Sequence, residues 1–509
     1  DSIDAFPRGA DARGDWYDEM LISGDRVIVI GYSYGRGGTE INRFRIDGVG
    51  RLRFEDAYHL RSNDYYSSRN YASRLIGNQL IVYSPLYLPY EVSENYDEWM
   101  PALRRWRGQA QGSKTGFKRI VSAREIYLPR MEREPEDGGI EALHTVTTCD
   151  LAAPELRCRA LSILGPAGRT FYVSSNAVYV WVSQWGRSDD RGSQSSMLYR
   201  MPLDGRAPSA IGVRGGPVDQ FSFREDANEG MLNVLVRGEG GGDAMWSGEF
   251  SAGSVALLRL PLNILGDGTD SAGRSHYRRL PSPGTDSYAL QNRFVGDYVL
   301  YGVGNSWGRP QERASMLVAA SVRGGGVSKL SLEHGVDRIE AMGRDAVVVG
   351  SDAKALHFSA VELTTGRRPE LGDSYTLESA AQGETRSHAF FFRPDPRPSW
   401  NDRSAGVLGL PVARAGRPGH RQLVEGSATM IFLRRANRLF ASLGEIEAHE
   451  DGIVDDGCKA SCVDWYGNAR PIFLRDRTFA LMGYEIVEGE LTLTSIREVR
   501  RINFAPGRR

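Results

Sequence analysis

The stretch that decides the fold is residues 19–30, which read EMLISGDRVIVI. Two apolar runs, Met20–Ile22 and Val27–Ile30, flank the turn residues Gly24 and Asp25. Short runs of branched aliphatic residues are typical of β-strands, and a Gly-Asp pair supplies the positive φ that a two-residue hairpin turn needs. The stretch therefore predicts a β-hairpin.

The same hairpin pattern returns along the chain, with starts roughly 45 to 55 residues apart. The further copies are residues 73–83, 170–181, 220–236, 292–301, 338–349, 389–410 and 471–482. A third apolar run follows each hairpin, and usually a fourth, which is the arrangement of propeller blades. The sequence thus predicts an all-β, single-domain β-propeller over residues 1–509 with eight four-stranded blades. Seven blades is the alternative if the last two units merge, and two unrelated β-sandwiches fit the regular repeat less well.

Composition narrows the class of protein. The 509 residues are 41% hydrophobic and 25% charged, a balance typical of globular proteins and too apolar for a disordered chain. The net charge of −1 provides no overall attraction to nucleic acid. Because no apolar run approaches the roughly 18 residues needed to span a bilayer, no transmembrane segment is predicted.

The four cysteines occur as two close pairs, Cys149 with Cys158 and Cys458 with Cys462. A Pro-containing turn separates the first pair, so a disulfide across a hairpin is the favoured interpretation. Free thiols and a zinc site are the alternatives, and zinc is disfavoured because neither pair has C-x2-C spacing. Disulfides indicate an oxidising compartment, and a chain that begins at Asp1 without methionine is consistent with removal of a signal peptide. We therefore expect an extracytoplasmic location: secreted, periplasmic or anchored to the envelope.

Several of these segments also resemble a known family. The order of Leu21–Ile30, Arg74–Tyr83, Gly168–Trp181, Asp219–Ser222, Arg293–Tyr301 and Ser387–Val412 is similar to bacterial and archaeal secreted β-propeller domain proteins, which are distantly related to WD repeats. The resemblance covers most of the chain, from Asp15 to Val499. It implies a propeller fold and an extracytoplasmic location, and it brings no catalytic residues. The Trp-Asp dipeptide of true WD repeats is absent and Gly-His occurs once, at Gly419-His420, so no WD partners are implied.

One segment interrupts the β pattern. Residues 85–118 form a predicted insertion within the second blade, and Tyr90–Arg107 places five large apolar side chains close to one helical face. Pro101 disturbs the middle of that predicted helix. A helix that caps the propeller is the favoured interpretation. A docking element for a partner and membrane association are the alternatives.

A recognition surface is predicted on one face of the propeller. The loops between the second and third strands of each blade are expected at residues 32–40, 85–118, 184–196, 238–253 and 305–314, and they are rich in aromatic residues. Long loops projected to one side of a rigid scaffold are suited to binding. The predicted binding residues are Tyr32, Tyr34, Trp185, Trp246, Trp307 and Arg309, and the same loops carry Trp99 and Trp106.

Catalytic and metal-binding signals are weak. Gly31–Gly35 matches the G-x-S-x-G nucleophile elbow, but the residues after it continue a loop where the elbow requires a helix, so Ser33 is not expected to be a nucleophile. The eight histidines are scattered along the sequence. No cofactor is predicted. Weak calcium candidates are the acidic residues next to glycines in two loops, Asp189, Asp190, Asp451 and Asp455.

The favoured function is a secreted or cell-envelope binding or scaffolding module whose partner is a protein or a glycan. The first alternative is a propeller enzyme of the lyase or hydrolase type with its site at the mouth of the central channel. The second alternative is a subunit of an extracellular assembly, with residues 90–107 as its docking arm.

Overall fold

In the computed structural model the chain is described over residues 3–11, 15–63, 73–88, 99–109, 112–113, 115–129, 140–188, 194–244, 247–283, 290–304, 314–364, 366–399, 402–414, 427–448, 469–482 and 485–504. Its contacts divide it into two compact units, Asp1–Arg278 and Arg279–Arg509. The prediction of a single domain over residues 1–509 stays a prediction.

The hairpin at residues 19–30 forms as its sequence predicts. Ser23 pairs with Arg26, and Leu21 with Ile28, across the Gly24-Asp25 turn. Gly24 has a φ of 62°, which the absence of a side chain makes accessible. Equivalent two-residue turns occur at Gly77-Asn78 and Gly296-Asp297. The local turn chemistry therefore sets the register of these strands.

The first unit contains four sheets, and the strands are numbered in chain order. Sheet 1 has the order β1 (Asp15–Ser23), β2 (Arg26–Ser33), β3 (Gly38–Ile46), β4 (Leu52–Arg61), β7 (Ala102–Arg105) and β8 (Lys118–Arg119). Sheet 2 has the order β5 (Ser73–Ile76), β6 (Gln79–Tyr87), β10 (Ala142–Asp150), β11 (Arg157–Gly165) and β9 (Ile126–Tyr127). Sheet 3 has the order β12 (Arg169–Val173), β13 (Ala177–Ser188), β14 (Gln194–Pro202), β15 (Ser209–Arg214) and β20 (Asp267–Ser271). Sheet 4 has the order β16 (Gly216–Pro217), β18 (Met231–Ala244), β19 (Ser247–Pro261) and β21 (Tyr277–Leu280), with β17 (Phe223–Asp226) also paired to β18.

The second unit continues the pattern with four more sheets. Sheet 5 is β22 (Leu290–Val295), β23 (Tyr298–Val303), β24 (Ser315–Ser321) and β25 (Val327–Leu332). Sheet 6 is β26 (Arg338–Met342), β27 (Asp345–Ser351), β28 (Ala355–Glu362) and β29 (Glu370–Glu378). Sheet 7 is β30 (Ala380–Gln382), β32 (Gly406–Arg414), β33 (Ser427–Ala436) and β34 (Leu439–Glu447), with β31 (Phe391–Pro394) paired to β32. Sheet 8 is β35 (Arg470–Leu474), β36 (Arg477–Met482), β37 (Glu485–Leu491) and β38 (Ile496–Asn503).

Helical structure in the described residues is limited to single 3₁₀ turns. They are Ala123–Glu125, Gln220–Ser222, Leu262–Ile264, Arg274–His276 and Ser387–Ala389. Two of them occupy positions that the sequence assigned to hairpin strands, at residues 220–222 and at Ala389. In the first case the Asp219 carboxylate accepts a hydrogen bond from the Phe221 amide, and this cap competes with strand pairing.

Apolar side chains between neighbouring sheets of each unit form the cores. In the first unit one core joins sheets 1, 2 and 3, and a second joins sheets 3 and 4. In the second unit the cores join sheets 5 and 6, sheets 6 and 7, and sheets 7 and 8. Face-to-face packing of successive small sheets, here of four to six strands each, is the packing of propeller blades. The all-β propeller prediction is confirmed, whereas eight as the number of blades in one ring stays a prediction.

The predicted helix at residues 90–107 is wrong for its described part. Ala102–Arg105 is strand β7, which pairs antiparallel with Tyr58–Leu60 of sheet 1. The free edge of β4 satisfies the backbone groups of this segment, and Pro101 cannot donate a helical hydrogen bond. Residues 90–98 lie outside the described residues. In the chain the insertion lies between β6 and β10, which are neighbouring strands of sheet 2, whereas its strands β7 and β8 extend sheet 1. The prediction of an insertion at residues 85–118 within the second blade stays a prediction.

The first predicted disulfide is confirmed, since Cys149 and Cys158 are bonded and lie opposite each other on β10 and β11. The tip of this hairpin is held by sheet 1. The Arg43 guanidinium donates to the carbonyls of Ala153 and Pro154 at 3.1 and 2.8 Å and also pairs with Asp56. Cys458 and Cys462 lie outside the described residues.

Candidate functional site

The predicted binding residues have different positions. Tyr32 is buried at the end of β2, whereas Tyr34 is 56% exposed in the following loop, with the two rings edge to face at 5.1 Å. Trp185 lies in β13, because residues 184–188 and 194–196 are strands where a loop was expected. Strands β18 and β19 likewise cover most of the expected loop at residues 238–253. Trp246, Trp307 and Arg309 lie outside the described residues.

The loop between β2 and β3, residues 34–37, is the described part of the predicted face and is called the Tyr34 loop. It closes tightly against β4, because Gly38 at its end has a φ of 122° and a Cβ there would lie 2.6 Å from the carbonyl oxygen of Leu60. The Gly37 amide donates to the Ser33 carbonyl at 3.2 Å, and the Arg36 amide donates to the Ser33 hydroxyl at 3.1 Å. Backbone geometry thus fixes the loop that carries Tyr34.

A buried group of charged and polar side chains, called the Arg36 cluster, lies beneath this loop. It consists of Asp15, Tyr17, Arg36, Glu40 and His59. The Arg36 guanidinium is 2.5 Å from an Asp15 carboxylate oxygen and 2.6 Å from a Glu40 carboxylate oxygen. The Tyr17 hydroxyl donates to the other Glu40 oxygen at 3.1 Å. One cation therefore neutralises two carboxylates that are taken out of water.

The protonation of Glu40 and His59 follows from their surroundings. Burial alone would raise the pKa of Glu40, but His59 and the Arg36 guanidinium lower it to about 2. Burial lowers the pKa of His59 despite its contact with Glu40, where Nε2 lies 3.3 Å from the carboxylate. His59 Nδ1 has no hydrogen-bond partner within the described part of the chain, so a second N–H there would be buried and unsatisfied. His59 is therefore a neutral donor to an ionised Glu40.

Burial also shifts the other two acidic groups of the cluster. It raises the pKa of the Asp15 carboxyl, although the Ser33 hydroxyl and the Arg36 guanidinium act in the opposite direction. It raises the pKa of the Tyr17 hydroxyl well above its ordinary value, and the charge of Glu40 adds to this effect. Arg36 lowers both pKa values and so opposes the effect of burial. Without that guanidinium, an ionised Asp15 carboxylate would lose the cation beside it.

The insertion braces the same loop from the other side. Arg104 of β7 is buried and donates to the Arg36 carbonyl at 2.5 Å, while its guanidinium lies 4.4 Å from the ring centroid of Phe117. The Trp106 ring packs edge to face on His59 at 5.8 Å and contacts the Arg36 guanidinium at 5.7 Å. The Gly112 amide donates to the Gly35 carbonyl at 2.7 Å. Arg104, Trp106 and Gly112 of the insertion thus all contact the Tyr34 loop or the Arg36 cluster in sheet 1.

The contacts of the Arg36 cluster hold its side chains and the Tyr34 loop in position. Its charged side chains are within hydrogen-bonding distance of one another, and the side chains of Asp15, Arg36, Glu40 and His59 are at most 2% exposed. Ser33 is buried, and its hydroxyl accepts a hydrogen bond from the Arg36 amide. Among the described residues there is no group of acidic, histidine or cysteine side chains that could hold a metal ion. The calcium candidates Asp189, Asp190, Asp451 and Asp455 lie outside those residues.

Sequence reasoning did not find the Arg36 cluster. Its members come from β1, the Tyr34 loop, β3 and β4, and they have no common spacing. A usable signal was the set of charged residues within strands predicted to be buried, since charges in such strands need partners. Glu40, however, falls in the expected loop at residues 32–40, and Asp15 precedes the first predicted strand, so this signal becomes usable only once β1, β3 and β4 are known.

The sequence matches the family described as Beta propeller domain over residues 8–276, just over half of the chain. The chain belongs to this family. No curated protein matched the sequence. The described part of this propeller protein contains no helix with the length and apolar character needed to cross a lipid bilayer.

Solved structures with some similarity to the propeller protein are distant. A variant of apocarotenoid oxygenase from Synechocystis is 13% identical, with 85% of this chain and 93% of that chain covered and a TM-score of 0.31. A structure described as one of two prolyl endopeptidases is 9% identical, with 80% of this chain and 56% of that chain covered and a TM-score of 0.24.

Proposed function

We propose that this protein is an extracytoplasmic binding or scaffolding module whose recognition surface includes the Tyr34 loop. Its partner is a protein or a glycan of the cell envelope. The supporting observation is an exposed aromatic side chain on a loop that buried charges hold in place. A loop that is ordered before binding loses little conformational entropy when its partner docks.

Tyr34 has the properties of a contact residue. Its ring combines an apolar face with a polar hydroxyl, which suits both protein surfaces and sugar rings. The buried Tyr32 supports it at 5.1 Å, so the exposed ring is backed by packed structure. The disulfide between Cys149 and Cys158 supports the proposed location, because such bonds persist in oxidising compartments.

The proposal that residues 90–107 form a docking arm is restricted by the fold. Residues 99–107 include the buried Met100, Ala102 and Arg104. Ala102 and Arg104 belong to β7 of sheet 1, and Met100 packs with Val121 and Ala160. A docking arm would therefore consist of residues 90–98 alone. The Tyr34 loop offers a better supported surface.

Site-specific photo-crosslinking tests the recognition surface. A benzophenone amino acid is placed at position 34 or, as a control, at position 49. Val49 is 79% exposed in the β3–β4 turn, at the opposite end of strand β3 from the Tyr34 loop. With envelope extract or cell-wall polysaccharide, we expect the yield of adducts from position 34 to exceed that from position 49 at least about tenfold. A difference of about 1.4 kcal/mol in contact free energy between the two positions gives this ratio.

The same experiment includes competition with unlabelled protein. Wild type should suppress the adducts, whereas Tyr34→Ala should compete at least about tenfold less well at an unchanged unfolding midpoint. Equal adduct formation at positions 34 and 49, or full competition by Tyr34→Ala, would show that the Tyr34 loop is not the recognition surface.

A further inference from the structure

A serine–histidine pair is present in the second unit, far in sequence from the Tyr34 loop. Ser359 lies on β28 and is half-buried, and its hydroxyl is 2.8 Å from His334 Nε2. His334 is buried in the connection between β25 and β26. No motif in the sequence relates the two residues, because they are 25 positions apart.

The tautomer of His334 is fixed by its second nitrogen. His334 Nδ1 lies 2.7 Å from the carbonyl oxygen of Gly335. A carbonyl only accepts hydrogen bonds, so Nδ1 carries the proton and Nε2 presents a lone pair to the Ser359 hydroxyl. Burial lowers the pKa of His334, and the neighbouring His357 acts in the same direction. The imidazole is therefore a neutral acceptor for the serine proton.

A second imidazole supports the first. The His357 ring is stacked on His334 with centroids 5.1 Å apart and planes 5° apart. Its Nε2 is 2.9 Å from Asp352 Oδ2, while Asp352 Oδ1 accepts the amides of Lys354 and Ala355. Both rings are thus held in fixed orientations, one of them through a carboxylate.

The backbone around the pair leaves room for this arrangement. A Cβ at Gly350 would overlap the Gly335 carbonyl and lie 2.6 Å from His334 Nδ1. The Ser315 hydroxyl donates to the His334 carbonyl at 2.5 Å, which anchors the connection. A serine needed only for packing would not require an oriented base, a fixed tautomer and a side-chain-free position opposite them.

We propose that Ser359 and His334 are a nucleophile and general-base pair that acts on acyl esters. Ser359 Oγ forms a bond to the acyl carbon, and its proton passes to His334 Nε2. The ester C–O bond breaks, and the alcohol leaves with that proton. Water then attacks the acyl carbon while His334 Nε2 accepts its proton. The bond between Ser359 Oγ and the acyl carbon breaks, Ser359 Oγ takes the proton back from His334, and the acid leaves. This activity is independent of the proposed binding function of the Tyr34 loop.

Covalent labelling of the full chain with diisopropyl fluorophosphate tests the proposal. Ser359 Oγ would bond to phosphorus, fluoride would leave, and the proton would go to His334. We expect one adduct per chain, located on Ser359 by peptide mass spectrometry. The adduct should be absent in Ser359→Ala and form at least about tenfold more slowly in His334→Gln, since a positioned base contributes 10²–10⁴-fold.

Ser374→Ala is the matched control, because Ser374 is an exposed serine directly opposite Ser359 on β29. It should label like wild type. Labelling at a serine other than Ser359, or the absence of any adduct on folded wild type, would overturn the proposal. Unchanged labelling of Ser359 in folded His334→Gln would overturn the role of His334. If that variant does not fold, the serine that carries the adduct in wild type decides whether the proposal stands.

Discussion

Arg36→Met is expected to lower the free energy of unfolding of the first unit by about 3–5 kcal/mol, because removal of one partner from a buried ion pair leaves uncompensated charge. The side chains of Asp15 and Glu40 are 2% and 0% exposed, so water cannot replace the guanidinium. Urea unfolding followed by tryptophan fluorescence measures the change. The loss should be smaller at pH 5 than at pH 8, because protonation of the two carboxylates relieves the unpaired charge.

Arg45→Met is the matched control for this prediction. Arg45 belongs to the same sheet, but its ion pair with Asp25 is about half exposed on both sides, with side-chain exposures of 46% and 56%. Such a pair contributes about 0–1 kcal/mol. If Arg36→Met were no more destabilised than Arg45→Met, the Arg36 cluster would not hold the Tyr34 loop.

Acid is expected to destabilise the first unit through His144 by about 3 kcal/mol between pH 6.5 and pH 4. Burial lowers the pKa of His144 to about 4, and the charge of Arg169 adds to this effect. The imidazole accepts a hydrogen bond from the Tyr83 hydroxyl at 2.8 Å and donates to the Pro166 carbonyl at 2.7 Å. In the unfolded chain the ring takes up a proton below about pH 6.5, whereas in the folded chain it remains neutral until about pH 4. The unfolded state therefore binds more protons in this range, and stability falls as the pH falls.

His144→Gln isolates this contribution, since an amide can accept from Tyr83 and donate to Pro166 without titrating. The difference in unfolding free energy between wild type and variant, measured from pH 7.5 to 4, should change by about 3 kcal/mol in favour of the variant. Other titrating groups cancel in that difference. A pH-independent difference would show that the folded imidazole protonates as readily as the unfolded one.

The hairpins were predictable because each depends on a short local pattern. Gly24-Asp25 and Gly296-Asp297 fix the turn, and the flanking apolar runs fix the strands. The strand Ala102–Arg105 was not predictable in the same way. Its sequence fits a helical face as well as a strand, and the free edge of β4, more than 40 residues earlier, decides the outcome. Long-range pairing of this kind outweighs local propensity.

The candidate sites likewise divide into features that the local sequence predicts and features that only the tertiary fold determines. Tyr34 was predicted to be a binding residue from its position in a loop after a strand; it is exposed in that loop, and its role in binding stays a prediction. The Arg36 cluster and the Ser359–His334 pair unite residues from separate strands and connections, so no spacing in the sequence relates them. Buried charge within a predicted strand indicates only that a partner exists. The identity of that partner is set by the tertiary fold.

The Arg36 cluster contributes to specificity of structure more clearly than to stability. Well-packed apolar residues can replace a buried ion network with little loss of stability, whereas a broken network is costly. Here the guanidinium contacts Asp15, Tyr17 and Glu40 together, so one conformation of the Tyr34 loop satisfies all of its donors. This supports a role in presenting Tyr34 to a partner.

Amide hydrogen exchange of the Tyr34 loop tests most directly whether the Arg36 cluster orders the proposed recognition surface. Lysine at position 36 keeps the charge but cannot span the three partners of the guanidinium, whereas Arg45→Lys changes an exposed pair on the same sheet. We predict slow exchange of the Arg36 and Gly37 amides in wild type and in Arg45→Lys. In Arg36→Lys we predict exchange at least about tenfold faster, because a loss of about 1.4 kcal/mol in local opening free energy has that effect. Equal exchange at these positions in all three proteins would contradict the account.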